Sequence, residues 1–217
     1  MGTQQDKREQ MILDVAKKHF EKFGYKRTVI DDIVREVGIA KGTFYLHFKS
    51  KQELYLHVMK RLQEEAIAAI IKQFQEEQTP AELVRNMIQL GIELLENEPL
   101  SLAMVRGEES HYMIQAMMAG PGVAEQLNSS LHFYKGVMEE GIRVGEFRED
   151  LDMEIYPYLL GSFKFLFLYV DIVESLGVPR EKLWDAYIDM MMRGMLKPGV
   201  QVADPRYRRK WGNPFAA

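Results

Sequence analysis

The sequence predicts an all-α fold, with a small three-helix N-terminal domain followed by a larger helical body. Apolar residues recur at helical spacing almost from end to end, and the strict alternation of a half-buried sheet is absent. Glycine, proline and Ser/Thr-x-x-Glu signals divide the chain into segments of helix length.

The elements follow in order. Ile12, Val15, Ala16, His19, Phe20 and Phe23 form one amphipathic stripe, and Gly24 follows as a stop. Thr28 with Asp31 three residues on reads as an N-cap box. Ile30, Ile33, Val34 and Val37 carry a short second helix to Gly38. A third runs from about Ala40 to His47, with Phe44 and Phe48 on its inner face. Ser50 and Glu53 cap a long fourth helix that reaches about Glu76. Thr79, Pro80 and Glu82 start a fifth, which carries Leu83, Val84, Met87 and Ile88 and ends near Pro99. Further helices are expected over 100–118, 123–144, 154–176 and 180–196. The residues after Pro198 lack periodicity and read as a loose tail. The expected domains are residues 1–52, 53–197 and a tail at 198–217.

Composition narrows the function. The 217 residues include no cysteine, which excludes disulfides, thiolate metal sites and a catalytic thiol. With 47% hydrophobic and 28% charged residues, the chain suits an ordinary folded core. Met1 to Lys7 do not form a signal peptide, and the apolar window Tyr156 to Leu176 is interrupted by Lys164, Asp171 and Glu174. A cytoplasmic protein with no membrane partner is expected. Residues 1–60 hold 12 basic and 8 acidic side chains, whereas the remainder holds 16 and 24. A basic head on an acidic body points to a polyanion partner for the head alone.

Thr28 to Phe48 is helix, turn, helix, and the second helix of such a pair presents its outer face to the DNA major groove. Lys41 and Gly42 lie at its start, where a bare backbone can approach a phosphate. Thr43, Tyr45 and His47 carry groups able to meet base edges or phosphates. Tyr25, Thr28 and Lys51 flank the pair as expected phosphate contacts.

The residues Arg8 to Ala16, Phe20-Glu21-Lys22-Phe23-Gly24-Tyr25, Thr28 to Ile33 and Val37 to Leu54 resemble the head of the TetR family of bacterial regulators. The match runs nearly position by position over residues 8–58. The resemblance implies a homodimeric repressor with a palindromic double-stranded operator, released when a small molecule fills the body. It also implies a helix-turn-helix DNA-binding domain joined to a helical ligand-binding and dimerisation domain. Leu46 and His47 stand where such heads vary, which implies a part in operator preference.

In the body, the segment 154–176 is apolar nearly all round, and 180–196 is richer than one stripe requires. A four-helix contact between two chains is expected there, through Phe167, Trp184, Tyr187 and Met191. Eleven of the 14 methionines fall after residue 60, and methionine suits an adaptable apolar pocket. The expected pocket residues are Met87, Met104, His111, Met117, Phe133, Met138 and Phe163, and the expected effector is apolar or aromatic. Alternatives are a regulator with the same head that answers to a metal or a protein, and a helical ligand-binding module with no DNA role. No catalytic, metal or cofactor residues are expected: the five histidines are scattered, and the one Glu-x-x-His, Glu108 to His111, lacks the second copy a di-metal bundle needs.

Overall fold

A computed structural model of the chain describes residues 4–106, 123–200 and 205–211. Two compact units emerge, one of residues 1–66 with 98–117 and one of residues 67–97 with 118–217. The first extends past the expected boundary at 52 because the start of the fourth helix is part of its core.

In the first unit, α1 spans Gln4–Arg27 and turns sharply at Gly24 (φ 70°, ψ 167°), a left-handed geometry that strains any residue with a β-carbon. α2 covers Ile30–Val37 and ends in a left-handed Gly38, whose amide returns to the Val34 and Arg35 carbonyls. α3 is Lys41–His47 and α4 is Lys51–Phe74. Ile12, Phe20, Ile33, Phe44, Phe48, Leu54, Tyr55 and Val58 make one buried cluster, so α4 closes the three-helix head from below. α6, Pro99–Val105, adds Leu100 to it.

One expected cap is absent. Val29 rather than Thr28 occupies the N-cap of α2, without a side-chain cap bond. The Thr28 hydroxyl instead donates to the Gly24 carbonyl at 2.8 Å and the His19 carbonyl at 3.1 Å, with the residue only 2% exposed. The hydroxyl is held at the end of α1 as a donor, and the N-cap position of α2 falls one residue later, on a valine with no side-chain oxygen.

The second unit holds α5 (Pro80–Glu96), α7 (Val123–Arg143), α8 (Tyr156–Leu160), α9 (Val170–Ser175) and α10 (Arg180–Met195). The reciprocal box of Thr79 and Glu82 starts α5 as expected, with Pro80 in the first turn. A buried Glu146 carboxylate also accepts the Ala81 amide at 2.9 Å, placing an anion at the positive end of that helix. Gly141 does not end α7. It lets the Phe147 ring approach, since a β-carbon there would lie 2.1 Å from that ring.

The single helix expected over 154–176 is broken. α8 gives way at Gly161 to a 3-10 turn, Ser162–Leu168, before α9 begins. The Tyr187 hydroxyl bonds Ser162 Oγ at 2.8 Å and donates to the Leu159 carbonyl at 3.2 Å, the carbonyl that a continuous helix would pair with the Phe163 amide. A side chain inserted into the helical ladder is a recognised cause of such a break.

The tail also departs from expectation. Residues 205–211 are packed on the second unit, where Gln78 and Arg209 exchange both backbone bonds at 3.1 and 3.2 Å. Periodicity carries no signal for a segment seated by two residues of extended pairing.

Candidate nucleic-acid interface

α3 owes its orientation to Phe44 and Phe48, which are 0% and 1% exposed and lie 5.8 Å apart between ring centroids, tilted by 38°. With these two inward, a turn of about 100° per residue sends position 46 to the opposite side. Leu46 is 81% exposed and Tyr45 47% exposed, so the outer face is aromatic and apolar at its middle. Lys41 and Gly42 are exposed at the helix start and Thr43 is half-buried. A β-carbon at Gly42 would meet nothing within 4 Å, so backbone access there is open. Lys41 holds Asp31 of α2 at 2.6 Å, and this bond raises the lysine above its ordinary range. Both partners are exposed, so the lysine can exchange Asp31 for a phosphate at little cost.

Three expected contacts point elsewhere. His47 lies close to the Phe48 side of the helix. Its side chain is 5% exposed, with Nδ1 3.8 Å from the Glu9 carboxylate. Thr28 is committed to the α1 end. Lys51 is turned inward as well: its ammonium donates to the carbonyls of Tyr25 (2.8 Å), Thr28 (2.9 Å) and Lys26 (3.2 Å). It also lies 4.6 Å from the centre of the Tyr25 ring, and burial pulls it below the ordinary lysine range. Lys51 therefore pins the α1–α2 turn to α4. Tyr25 is half-buried, with its ring 5.2 Å from that of Tyr55.

The outer face thus gathers Lys41, Gly42, Thr43, Tyr45 and Leu46 on a rigid short helix, with a cation at its start and a methyl-rich side chain at its centre. Leu46 carries no polar group to mark it as a DNA contact, and the helical phase set by Phe44 and Phe48 is what finds it. This arrangement can bind a polyanion and present apolar groups to base methyls.

The fatty acid metabolism regulator protein of Bacillus subtilis is 27% identical over 144 residues, 66% of this chain and 73% of that protein. Residues 12–58 match the family model for bacterial regulatory proteins of the tetR family. Over that stretch, 47 of the 217 residues, the chain is similar to the head of the TetR family of bacterial regulators. Solved structures agree with the fold. FadR from Bacillus subtilis in complex with stearoyl-CoA aligns with a TM-score of 0.64 at 20% identity, over 85% of this chain and 98% of that one. SmeT, the repressor of a Stenotrophomonas maltophilia multidrug efflux pump, aligns at 0.65 and 26% identity, over 89% and 93%. The chain is a DNA-binding transcriptional regulator.

Of the remaining expected residues, Met87, Phe133, Met138, Phe163, Phe167, Trp184, Tyr187 and Met191 belong to the second unit. His111 and Met117 are outside the described residues, as is the side chain of Met104. Met87 and Met138 are buried, at 8% and 0% exposure. Phe133 packs 4.5 Å from Phe74, and Phe163 lies so close to Gly91 that a β-carbon there would be 2.4 Å from its ring. These side chains fill core space. The second unit does carry an open cleft of about 530 Å³ beside Leu131, His132, Lys135, Ile155 and Tyr158, and the expected pocket residues do not line it.

The expected dimer residues need correction. Phe167, Trp184 and Tyr187 are 1%, 6% and 8% exposed within one chain, and Met191 is half-buried. The Phe167 and Trp184 rings lie 4.7 Å apart, and the indole donates to Glu96 at 2.8 Å. They are bound within their own unit. Apolar side chains left in solvent on the same segments include Phe165, Leu168, Tyr169, Ile172, Leu176 and Met190, between 45% and 77% exposed. The break at Gly161 rotates the later residues away from the phase of one continuous helix. No helix among the described residues is long and apolar enough to cross a membrane.

Proposed function

We propose that this chain is a repressor that binds a palindromic operator as a homodimer in the cytoplasm and is released by an apolar effector of the long-chain acyl class. The observation that carries the DNA reading is the outer face of α3, where Lys41, Tyr45 and Leu46 stand exposed on a buried Phe44–Phe48 anchor. The acyl class is supported by the relatives, a fatty acid metabolism regulator and a structure holding stearoyl-CoA. Met87, Phe133, Met138 and Phe163, packed within the second unit, are proposed as an effector seat that opens when the ligand enters. Flexible thioether side chains can repack around a long alkyl chain.

The test is fluorescence anisotropy on a duplex taken from the DNA beside the protein's own gene, with stearoyl-CoA as the probe. Stearoyl-CoA is expected to raise the operator Kd by about 5–150-fold, the range of ordinary allosteric coupling. Met138→Trp is expected to keep operator binding and lose that response. An operator Kd unmoved by stearoyl-CoA would overturn the acyl reading, and no binding of the duplex above random DNA would overturn the repressor reading for that site.

The exposed apolar side chains of residues 165–176 and Met190 support the homodimer, since this much open apolar surface on one unit is unusual for a chain that stays alone. Ile172→Glu and Phe165→Glu are expected to yield monomers by light scattering with little change in Tm. Tyr187→Glu is expected to lower Tm instead, because it buries a charge inside the unit and removes two hydrogen bonds. A dimer that survives both surface substitutions would place the interface elsewhere.

A further inference from the structure

The C-terminal strap closes over the end of α4 with a density of contacts that a passive tail does not need. Arg209 pairs with Gln78 through two backbone bonds, at 3.1 and 3.2 Å. The Trp211 amide donates to the Phe74 carbonyl at 3.0 Å, and its indole N–H donates to the Gln78 carbonyl at 3.0 Å. Phe74 is the last residue of α4, so the strap supplies a donor to one of the carbonyls that a helix end leaves unpaired. The Trp211 ring sits edge-on to Phe133 at 6.5 Å, and Phe133 in turn packs on Phe74 at 4.5 Å. The Arg209 guanidinium lies 4.2 Å from the indole centre and pairs with Glu140 of α7 at 3.1 Å. Arg208 binds Glu82, the same carboxylate that completes the α5 cap through Thr79.

We propose that the strap is a latch and that Trp211 is a positioning residue for DNA binding, because it fixes the far end of the helix that begins at the Lys51 pin. α4 is a single helix from Lys51 to Phe74. A helix held at one end by three carbonyl contacts and at the other by the strap has lost its freedom before DNA arrives. That ordering cost is then absent from the binding step. With the strap released, α4's last turn frays and the cost returns. The reading rests on the chain being a DNA-binding regulator, and the controls below separate the two.

The experiment uses the full chain, Trp211→Ala, Trp211→Phe and a chain ended after residue 204. Hydrogen exchange at the amides of 71–78 is expected to accelerate in Trp211→Ala and in the shortened chain, while amides of α10 keep their wild-type rates. Operator affinity is expected to fall by roughly 2- to 30-fold in both, the range for substitutions that act on coupling without touching a ligand. Trp211→Phe keeps a ring against Phe133 and loses the indole donor, so it is expected to recover most of the affinity. Unchanged exchange at 71–78, or a shortened chain that binds the operator as tightly as the wild type, would overturn the latch. A Trp211→Phe variant as weak as Trp211→Ala would overturn the part given to the ring. A wild-type chain that fails to bind DNA would count against the regulator reading instead.

Discussion

Lys51→Met is expected to weaken binding to every DNA sequence and to lower Tm, while leaving the salt slope of binding at its wild-type value. The methionine keeps most of the aliphatic stem and removes the ammonium. Three carbonyls at the turn between α1 and α2 then lose their donor, at 2.8, 2.9 and 3.2 Å. Hydrogen bonds to charged groups contribute about 1.5–3 kcal/mol net each, and the partial exposure of this site to water cuts the sum for the three to a loss of about 2–4 kcal/mol. The Tyr25 ring loses its cation too. A lysine that neutralised a phosphate would behave otherwise: its removal would reduce the salt slope by about one and leave Tm nearly unchanged. Thermal unfolding and a salt titration on one variant therefore decide between the two roles. A reduced slope with an unmoved Tm would return Lys51 to the DNA surface. Lys51→Arg is a weaker substitute, because a planar fork does not converge on three carbonyls as a point-like ammonium does.

The same lysine shows where sequence reasoning ends. The helices of the head were legible because Ile12, Ala16, Phe20, Ile33, Phe44 and Phe48 follow the helical period and all six are buried. Gly24 and Gly38 were legible because each takes a positive φ at the end of a helical run. Thr79 and Glu82 were legible because a capping box is local. Lys51 was not, since the carbonyls that engage it come from 23 to 26 residues upstream, and no period relates them. The dimer residues failed for a related reason. Apolar surplus on 154–176 signals a second covered face, but it does not say that Tyr187 breaks the helix at Gly161 and sends Phe167 inward. Phase is preserved only while a helix is continuous, so the side that Phe167 takes is not readable across the break. The strap was illegible because Trp211 and Gln78 lie 133 positions apart and share no pattern.

Tyr45→Ala with Leu46→Ala is expected to give the largest loss of operator binding that leaves the fold intact. Both side chains point outward, at 47% and 81% exposure, so their removal opens no cavity. Tyr45 also lies edge-on to Phe44 at 5.2 Å, and losing that contact costs the head little beside the Phe44–Phe48 pair that remains. A side chain that meets a base edge or a thymine methyl contributes about 1–3 kcal/mol of discrimination, so two such contacts give roughly 30-fold to about 20,000-fold on the operator. On random DNA the expected loss is within threefold, since the phosphate contacts that supply non-specific binding stay in place. Leu46→Ala alone separates the two: its loss falls at positions that carry thymine, and replacing thymine by uracil in the duplex removes the 5-methyl group from the wild type's contact. Wild-type binding to the uracil duplex is expected to drop to the level of Leu46→Ala on the thymine duplex, and the two changes together are expected to cost no more than either alone. Additive losses would mean that Leu46 packs against something other than the methyl. Equal losses on operator and random DNA for the double variant would mean that the exposed face of α3 orients the head without reading sequence.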